Sequence, residues 1–403
     1  MSGRSSGLRP SEASAREAIV LLALAAFNSG ISLRCVEPML PQLAGDFGTS
    51  VSAASFIVTA FALAYAAAVL LQGPLGDRFG KLRVVTIGTA LAGVTSLACA
   101  AAWDVSSLAA ARFLMAIFAS APVALGMAYI GDVTPYERRQ QVLARYMSGQ
   151  ITGQLFGQAA GGIIGDLLGW RAMFFVLAAM FAVAALALFR ELATNPMTRP
   201  AAQHEGHGLM SGYAMVLASP WARILMLAVA CETALTFGAF AYIGADLHLR
   251  FGLSFTWVGV VVGTFGVGGL IYALTAQQLV PRLGQTGLAL YGSVILGLAY
   301  LTLALAPAAW IAPIAVTLIG LGFYMLHNTL QTNATQVTPQ ARGTAVALFS
   351  AAVYFGQTVG VALIAPVIDG SGGPPVFLVV ALLLPVLGWW FTSKLKGKSD
   401  SVT

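Results

Sequence analysis

The chain has 403 residues, of which 58% are hydrophobic and 9% are charged, with a formal net charge of +6. Soluble globular domains are roughly a quarter charged, so this composition excludes a soluble globular protein. The sequence contains no phosphate-binding loop, catalytic triad pattern or zinc spacing. We therefore expect neither an enzyme nor an ATP-driven pump, and no metal or other cofactor.

Twelve apolar runs are long enough to cross a bilayer as helices, since one crossing takes roughly 20 residues. They are continuous and lack the alternation of polar and apolar residues that is typical of a barrel, so they predict an all-α membrane protein with twelve transmembrane helices. The runs are 18–41, 51–72, 82–101, 107–130, 142–165, 172–189, 224–247, 257–280, 287–307, 310–333, 344–367 and 376–393.

The distribution of basic residues predicts the orientation of these helices. Residues 1–16 are polar and precede a run long enough to span, so we expect no cleaved signal peptide. With a cytoplasmic N-terminus, 17 of the 21 Lys and Arg residues fall on the cytoplasmic side. Because cytoplasmic loops are enriched in Lys and Arg, we expect an inner (plasma) membrane protein with both termini cytoplasmic. This topology accounts for the net positive charge, and no nucleic-acid partner is expected.

A shift of 204 residues places polar landmarks of the first half of the chain on those of the second. Gly48 falls on Gly252, Ser50 on Ser254, and Arg78 with Gly80 on Arg282 with Gly284. The sequence therefore predicts two parallel six-helix repeats, which place a substrate site at their interface near the middle of the membrane. We expect an N-terminal half over 1–189, a cytoplasmic linker over 190–221 and a C-terminal half over 222–403.

The predicted loop between helices 2 and 3 concentrates charge. It reads GPLGDRFGKLR from residue 73, with four charges in its last seven residues. Asp77 and Lys81 are four residues apart and can pair if helical. Gly76 and Gly80 permit a tight turn and close approach of helices. Asp132, at the end of helix 4, is expected on the same side of the membrane. The alternative is that the basic residues only enforce topology, which would require neither the acid nor the glycines.

With this loop and the repeat, the chain resembles a major facilitator superfamily transporter over essentially its whole length. The match to the family's loop 2–3 signature is at Gly73, Leu75, Asp77, Arg78, Gly80 and Lys81, whereas the second half keeps only Arg282 and Gly284. The resemblance implies a gating latch that holds the two halves together in the outward-facing state. Its residues would be Gly73, Gly76, Asp77, Arg78, Gly80, Lys81 and Asp132.

Helix 5 carries glycines at near-helical spacing, which make a smooth face for another helix. They are Gly149, Gly153, Gly157, Gly161 and Gly162. The run from Gly157 to Gly162 resembles the antiporter signature of proton-coupled drug exporters, with Gln158 in place of its proline. The resemblance favours efflux over uptake. Ordinary packing of small residues is the alternative.

Four charged residues, Arg34, Glu37, Arg112 and Glu232, lie within predicted spans and away from the first and last few residues of each span. A functional role is the default interpretation of such residues. Glu232 lies near the middle of helix 7, where a low dielectric favours the neutral carboxyl group, so it is a candidate to load and release protons. Its repeat counterpart is Asn28, and we expect both to line the central cavity. A structural glutamate that is protonated or bonded to a neighbour is the alternative.

The other three charges are predicted in the outer third of the first half. Arg34 and Glu37 are three residues apart on helix 1 and can pair. Arg112 matches the start of the family's helix-4 motif, in which an arginine is linked to proton transfer, although Ala116 replaces the motif's glycine. An acid beside two arginines is a poor proton carrier. A structural ion pair is therefore the alternative for Glu37.

These features predict a secondary transporter, monomeric, that exports a small organic compound, drug-like or metabolite, against proton entry by alternating access. The expected partners are the substrate, protons and the lipid bilayer. A sugar or metabolite exporter, and a non-transporting receptor or scaffold on the same fold, remain alternatives. Polar and aromatic residues that could shape the pocket are Tyr65, Tyr129, Phe156, Phe237, Phe240, Tyr272, Tyr324, His327, Asn328 and Tyr354.

Overall fold

The computed structural model describes residues 12–194, 209–337 and 342–400, and over these ranges every regular element is a helix. Ten stretches are long and apolar enough to cross a membrane. The stretch Phe255–Leu305 contains two spans, because it bends at Gly284. Tyr136–Leu168 adds the remaining span, and its many Gly and Gln residues make it less apolar than the others. The twelve-helix membrane fold is confirmed.

The first six spans run from Glu12 to Thr194. They are span 1 (Glu12–Arg34 and Leu40–Asp46, joined by the 3-10 turn Glu37–Met39), span 2 (Val51–Phe79), span 3 (Lys81–Ala100), span 4 (Val105–Ala119 and Ala121–Val133), span 5 (Tyr136–Leu168) and span 6 (Trp170–Thr194).

A connecting helix, Leu209–Ala218, precedes the last six spans. These are span 7 (Pro220–Phe240 and Ile243–Phe251), span 8 (Phe255–Gly263 and the part of Phe265–Leu305 before Gly284), span 9 (the part after Gly284), span 10 (Ala312–Ala334, after the turn Ala309–Ile311), span 11 (Arg342–Ser371) and span 12 (Gly373–Asp400).

The repeat is visible in caps and turns. Ser50 and Ser254 cap spans 2 and 8, and each side chain accepts a hydrogen bond from the backbone N–H three residues on. Gly80 and Gly284 form the turns into spans 3 and 9 with φ of +91° and +60°. Side chains other than glycine rarely adopt this conformation, so both tight turns need glycine. These pairs are separated by 204 residues, and the two parallel repeats are confirmed.

Glycines bring span 5 close to span 1, and span 11 close to span 7, in the same way. A Cβ atom at Gly157 would lie 2.7 Å from the carbonyl oxygen of Ile31. A Cβ atom at Gly360 would clash with the backbone of Ala234. Larger residues at these positions would force the helices apart, so the glycines set the interhelical distance.

The two halves meet at one end of the bundle. We call the end that carries Arg78, Lys81 and Arg83 the basic end and the opposite one the far end. At the far end the Tyr242 hydroxyl donates to Ser55 Oγ at 2.8 Å, which joins spans 7 and 2. Midway along spans 2 and 11, the rings of Tyr65 and Tyr354 are 4.3 Å apart between centroids. The seam is thus closed from the far end to about the middle of the bundle.

At the basic end the same spans are less closely packed. A Cβ atom at Gly73 in span 2, or at Gly343 in span 11, would have no other heavy atom within 4 Å. The connecting helix contacts both halves there: Gly212 lies against Thr344, and the Tyr213 hydroxyl donates to the Leu70 carbonyl at 2.6 Å. Spans 2 and 11 therefore leave room at the basic end.

Described helices extend into the predicted linker 190–221 from both sides. Span 6 continues to Thr194 and span 7 begins at Pro220. Val216 of the connecting helix is buried against Ala222 and Ala345. This short apolar helix therefore packs on the bundle, whereas residues 195–208 lie outside the described part of the chain.

Candidate functional site

Glu232 lies in the middle of span 7 with its side chain fully buried. Its Oε2 atom is 2.8 Å from Nδ1 of His327 in span 10. Its Oε1 atom has no hydrogen-bond partner among the described residues. The His327 side chain is 14% exposed, whereas the Glu232 side chain has no exposed surface. Each of these groups can hold a proton, and each can hydrogen-bond the other.

Aromatic rings fix the position of His327. Its imidazole stacks on Phe323 with 4.7 Å between centroids and an interplanar angle of 21°. Phe349 of span 11 lies 5.3 Å from it on another side. Phe323 also contacts Phe237 of span 7 at 4.8 Å. The Glu232–His327 pair therefore belongs to a packed aromatic cluster of the last six spans.

Asn28 does not join this site. It is fully buried in span 1, but its Nδ2 atom donates to the Met180 carbonyl of span 6 at 2.9 Å. The Asn28 side chain is thus bonded within the first half, and the expectation that it lines the central cavity stays a prediction. The Asn28 Nδ2 atom is paired with a backbone carbonyl of its own half, and its Oδ1 atom has no partner among the described residues. The Glu232 carboxyl group is paired with His327 instead.

Arg34 and Glu37 form an ion pair of 2.7 Å, with both side chains buried. The Arg34 guanidinium also lies 3.9 Å from the ring centroid of Phe237 in span 7, so it contacts the other half. Its Nε atom is 3.4 Å from Gln154 Oε1 of span 5. The pair thus forms part of the closed seam, on the far-end side of Glu232.

Arg112 does not share the acid with Arg34. Its Nη1 atom donates to the Ser32 carbonyl at 2.6 Å, and its guanidinium lies 3.9 Å from the ring centroid of Phe61. Its Nε and Nη2 atoms have no partner within the described ranges. The expectation of an acid flanked by two arginines is therefore met only for Arg34.

The latch residues are together at the basic end within the first half. Lys81 Nζ is 2.5 Å from Asp132 Oδ2 and 3.7 Å from Asp77 Oδ1. Gly76 lies inside span 2, where a Cβ atom would be 2.5 Å from Cδ2 of Leu125. Asp77 and Asp132 are largely exposed, and Arg78 lies over the ring of Phe79. Over the described residues, none of their hydrogen bonds or ion pairs reaches the last six spans.

The helix-5 glycines divide between two neighbours. Gly149, Gly153, Gly157 and Gly161 face the backbone of span 1. Gly162 faces span 8, where a Cβ atom would lie 2.7 Å from Cα of Gly259. One helix thus packs tightly on its own half and on the other half. This packing accounts for the glycines at all five positions.

A family model, that of the Major Facilitator Superfamily, matches residues 22–361. The chain belongs to this superfamily. Relatives of similar length include the uncharacterized MFS-type transporter YceJ of Bacillus subtilis, which is 24% identical and aligns over 84% of this chain and 85% of its own. The uncharacterized transporter YgaY of Escherichia coli O157:H7 is 27% identical over 92% of this chain and 94% of its own. The efflux pump radE of Floropilus chiversii is 27% identical over 45% of this chain and 34% of its own.

Solved structures of the superfamily share the fold. A bacterial homologue of the human lysosomal transporter Spinster, in an inward-facing and unoccupied conformation, superimposes with a TM-score of 0.76 at 16% identity, over 95% of this chain and 97% of its own. The peptide transporter POT gives a TM-score of 0.76 at 15% identity, over 93% of each chain. This chain is therefore a multi-pass membrane transporter of a superfamily whose members are generally not enzymes.

Proposed function

We propose that this transporter exports a small organic compound against proton entry, and that the Glu232–His327 pair carries the coupling proton. The proposal is carried by one observation. A fully buried carboxyl group in the middle of span 7 is paired with another titratable group, the imidazole of His327. The sequence similarity to a protein named as an efflux pump supports the direction of transport.

The chemistry of the pair suits reversible proton loading. In a low-dielectric site the pair is most stable when it is neutral overall, with one proton held by the two groups. Water or a cationic compound that reaches the site stabilises the ionised carboxylate and allows the proton to leave. A proton and a compound then compete for the same site, which couples their movements in opposite directions.

We also propose that the basic end faces the cytoplasm, in accord with the positive-inside rule. The closed far end would then face the exterior, and the conformation would be inward-facing. Asp77, Lys81 and Asp132 pair within the first half in this conformation. In the proposed cycle the network reaches span 11 and latches the halves when the basic end closes.

The test needs a transported compound. Purified protein is screened by thermal shift against lipophilic cations, neutral drug-like molecules and sugars, and the strongest stabiliser is loaded into proteoliposomes with an imposed pH gradient. We expect wild-type protein to concentrate the compound against its gradient. Glu232→Gln keeps size and hydrogen bonding but cannot ionise, so it should fold and lose gradient-driven transport. His327→Asn should lower it about tenfold, since it weakens a charge-assisted bond.

Asp246→Asn provides the matched control. Asp246 is the other buried acid of span 7, and it pairs with Arg250 at 3.0 Å near the far end. Its variant should keep gradient-driven transport. Wild-type accumulation by Glu232→Gln would contradict the proposal and make Glu37 with Arg112 the next candidate. Binding without any transport by the wild type would indicate a receptor or scaffold.

A further inference from the structure

A carboxylate of span 5 crosses the seam at the far end. Asp166, two residues before the end of span 5, accepts from the first turn of span 8. Its Oδ2 atom is 2.6 Å from the Thr256 hydroxyl and 3.2 Å from the Thr256 backbone nitrogen. Spans 5 and 8 belong to different halves, so these hydrogen bonds form only while the halves are together at this end.

A second carboxylate crosses in the opposite direction. Asp369, near the end of span 11, accepts from the Ser52 backbone nitrogen at 3.1 Å. Ser52 lies in the first turn of span 2, and it precedes Thr256 by the same 204 residues that relate the two repeats. Each half therefore supplies an aspartate, from its fifth helix, to the second helix of the other half.

The target of each aspartate is a helix N-terminus. The first N–H groups of a helix lack intrahelical acceptors and carry partial positive charge, so a carboxylate is stabilising there. Ser50 and Ser254 already accept from the N–H three residues on. The aspartates accept from a different N–H group in each turn. The two caps of each helix are thus divided between its own half and the opposite half.

We propose that Asp166 and Asp369 form a two-point clamp that holds the far end of this transporter closed. Opening the far end separates both carboxylates from Thr256 and Ser52, so the clamp sets the ratio of far-end-closed to far-end-open molecules. The inference rests on the proposed alternation between two open states but not on proton coupling at Glu232.

The test measures the distance between the two halves at the far end. Cysteines replace Trp103 and Trp310, which are 78% and 70% exposed in far-end loops of the two halves, in a background without the three native cysteines. Spin labels on the pair report their distance distribution by pulsed electron paramagnetic resonance. Asp166→Ala and Asp369→Ala should each raise the ratio of far-end-open to far-end-closed molecules about fivefold. The double variant should raise it about 25-fold, since the two sites are separate. Asn at either position should give a smaller shift.

Asp104 offers a matched control. It lies at the far end and caps span 4 through the Ser107 backbone nitrogen at 2.7 Å, within a single half. That hydrogen bond lowers the pKa of the Asp104 carboxyl, so Asp104 is also a charged cap. Asp104→Ala should leave the distances unchanged. An equal shift in Asp104→Ala, or wild-type distances in the double variant, would overturn the clamp.

The same measurement separates the clamp from the alternation on which it rests. The distances are read without a transported compound, at acidic and at neutral pH. If pH shifts the wild-type distribution but the double variant matches the wild type throughout, the clamp is wrong and the alternation stands. If no variant and no pH changes the distribution, both are contradicted.

Discussion

The two six-span halves share caps, turns and glycine packing but hold different polar groups at corresponding positions. Asn28 in span 1 donates to a backbone carbonyl of its own half, whereas Glu232 in span 7 pairs with a titratable histidine. Conversely, the positions that correspond to Arg34 and Arg112 are Gly238 and Val316. The backbone imposes the shared features on both halves, since caps and close approaches satisfy main-chain geometry. The far-end aspartates Asp166 and Asp369 are shared as well, because they accept from main-chain N–H groups at helix ends. The charges inside spans 1, 4 and 7 are under no such constraint, and the difference between the halves lies there.

The largest expected effect tests the shared part of the comparison. Gly157→Val and Gly360→Val each place a branched side chain against the backbone of the neighbouring span. Overpacking typically costs about 1–3 kcal/mol and occasionally more. A Cβ atom at either position would already clash with backbone atoms, so we expect a large and similar loss of monodisperse protein for both. Gly73→Val, where a Cβ atom would meet nothing within 4 Å, is the control. A loss for only one of the pair would show that the halves pack differently.

The next effect concerns the Arg34–Glu37 ion pair, whose corresponding positions in the second half are the uncharged Gly238 and Ala241. Arg34→Met leaves the buried Glu37 without its partner, and removing one member of a buried pair destabilises by about 3 kcal/mol. Arg34→Met with Glu37→Leu removes both charges and should recover most of the lost thermal stability in detergent. Equal melting temperatures for the single and double variants would show that the pairing itself contributes little.

A smaller effect is expected at the counterpart of Glu232. Asn28→Ala removes one buried hydrogen bond to the Met180 carbonyl, which stabilises by about 1 kcal/mol. The variant should melt at a lower temperature and keep gradient-driven transport, in contrast to Glu232→Gln. Uncoupled transport in Asn28→Ala would show that the first half also contributes to coupling.

Much of the fold could be predicted from the sequence, because membrane helices reveal themselves by apolar length and tight turns by glycine. The turns at Gly80 and Gly284 and the caps at Ser50 and Ser254 follow from local chemistry. The pairing of Glu232 with His327 did not follow, because it depends on the relative rotation of spans 7 and 10. Glu232 and His327 lie 95 residues apart on different spans, and the structure shows that their side chains meet beside packed aromatic rings.

The direction of Asn28 was unpredictable for a related reason. A repeat fixes where a residue lies along a span, but a side chain turns toward the partner that its own half supplies. Arg112 donates to the Ser32 carbonyl rather than to Glu37, and this choice of partner also depends on tertiary packing. Sequence position gave the depth of these groups and not their partners.

The smallest expected effect concerns the connecting helix between the halves. Pro74 has no N–H group, so the Leu70 carbonyl four residues earlier lacks its helical donor, and the Tyr213 hydroxyl donates to it instead. The Tyr213 hydroxyl is protonated at neutral pH and can donate, and burial raises its pKa further. Tyr213→Phe should destabilise by about 1 kcal/mol or less. Tyr291→Phe, at an exposed position in span 9, should have no effect on the melting temperature. Equal melting temperatures for the two variants would show that the contact is dispensable.

The central claim is that the Glu232–His327 pair holds a proton which the transported compound displaces. The most direct test is the release of protons when the stabilising compound from the thermal-shift screen binds purified protein in weakly buffered detergent solution, read with a pH-sensitive dye. We predict that wild-type protein and Asp246→Asn release a proton on binding, and that Glu232→Gln binds without release. Equal proton release from Glu232→Gln and the wild type would contradict the account, because the displaced proton would then come from another group.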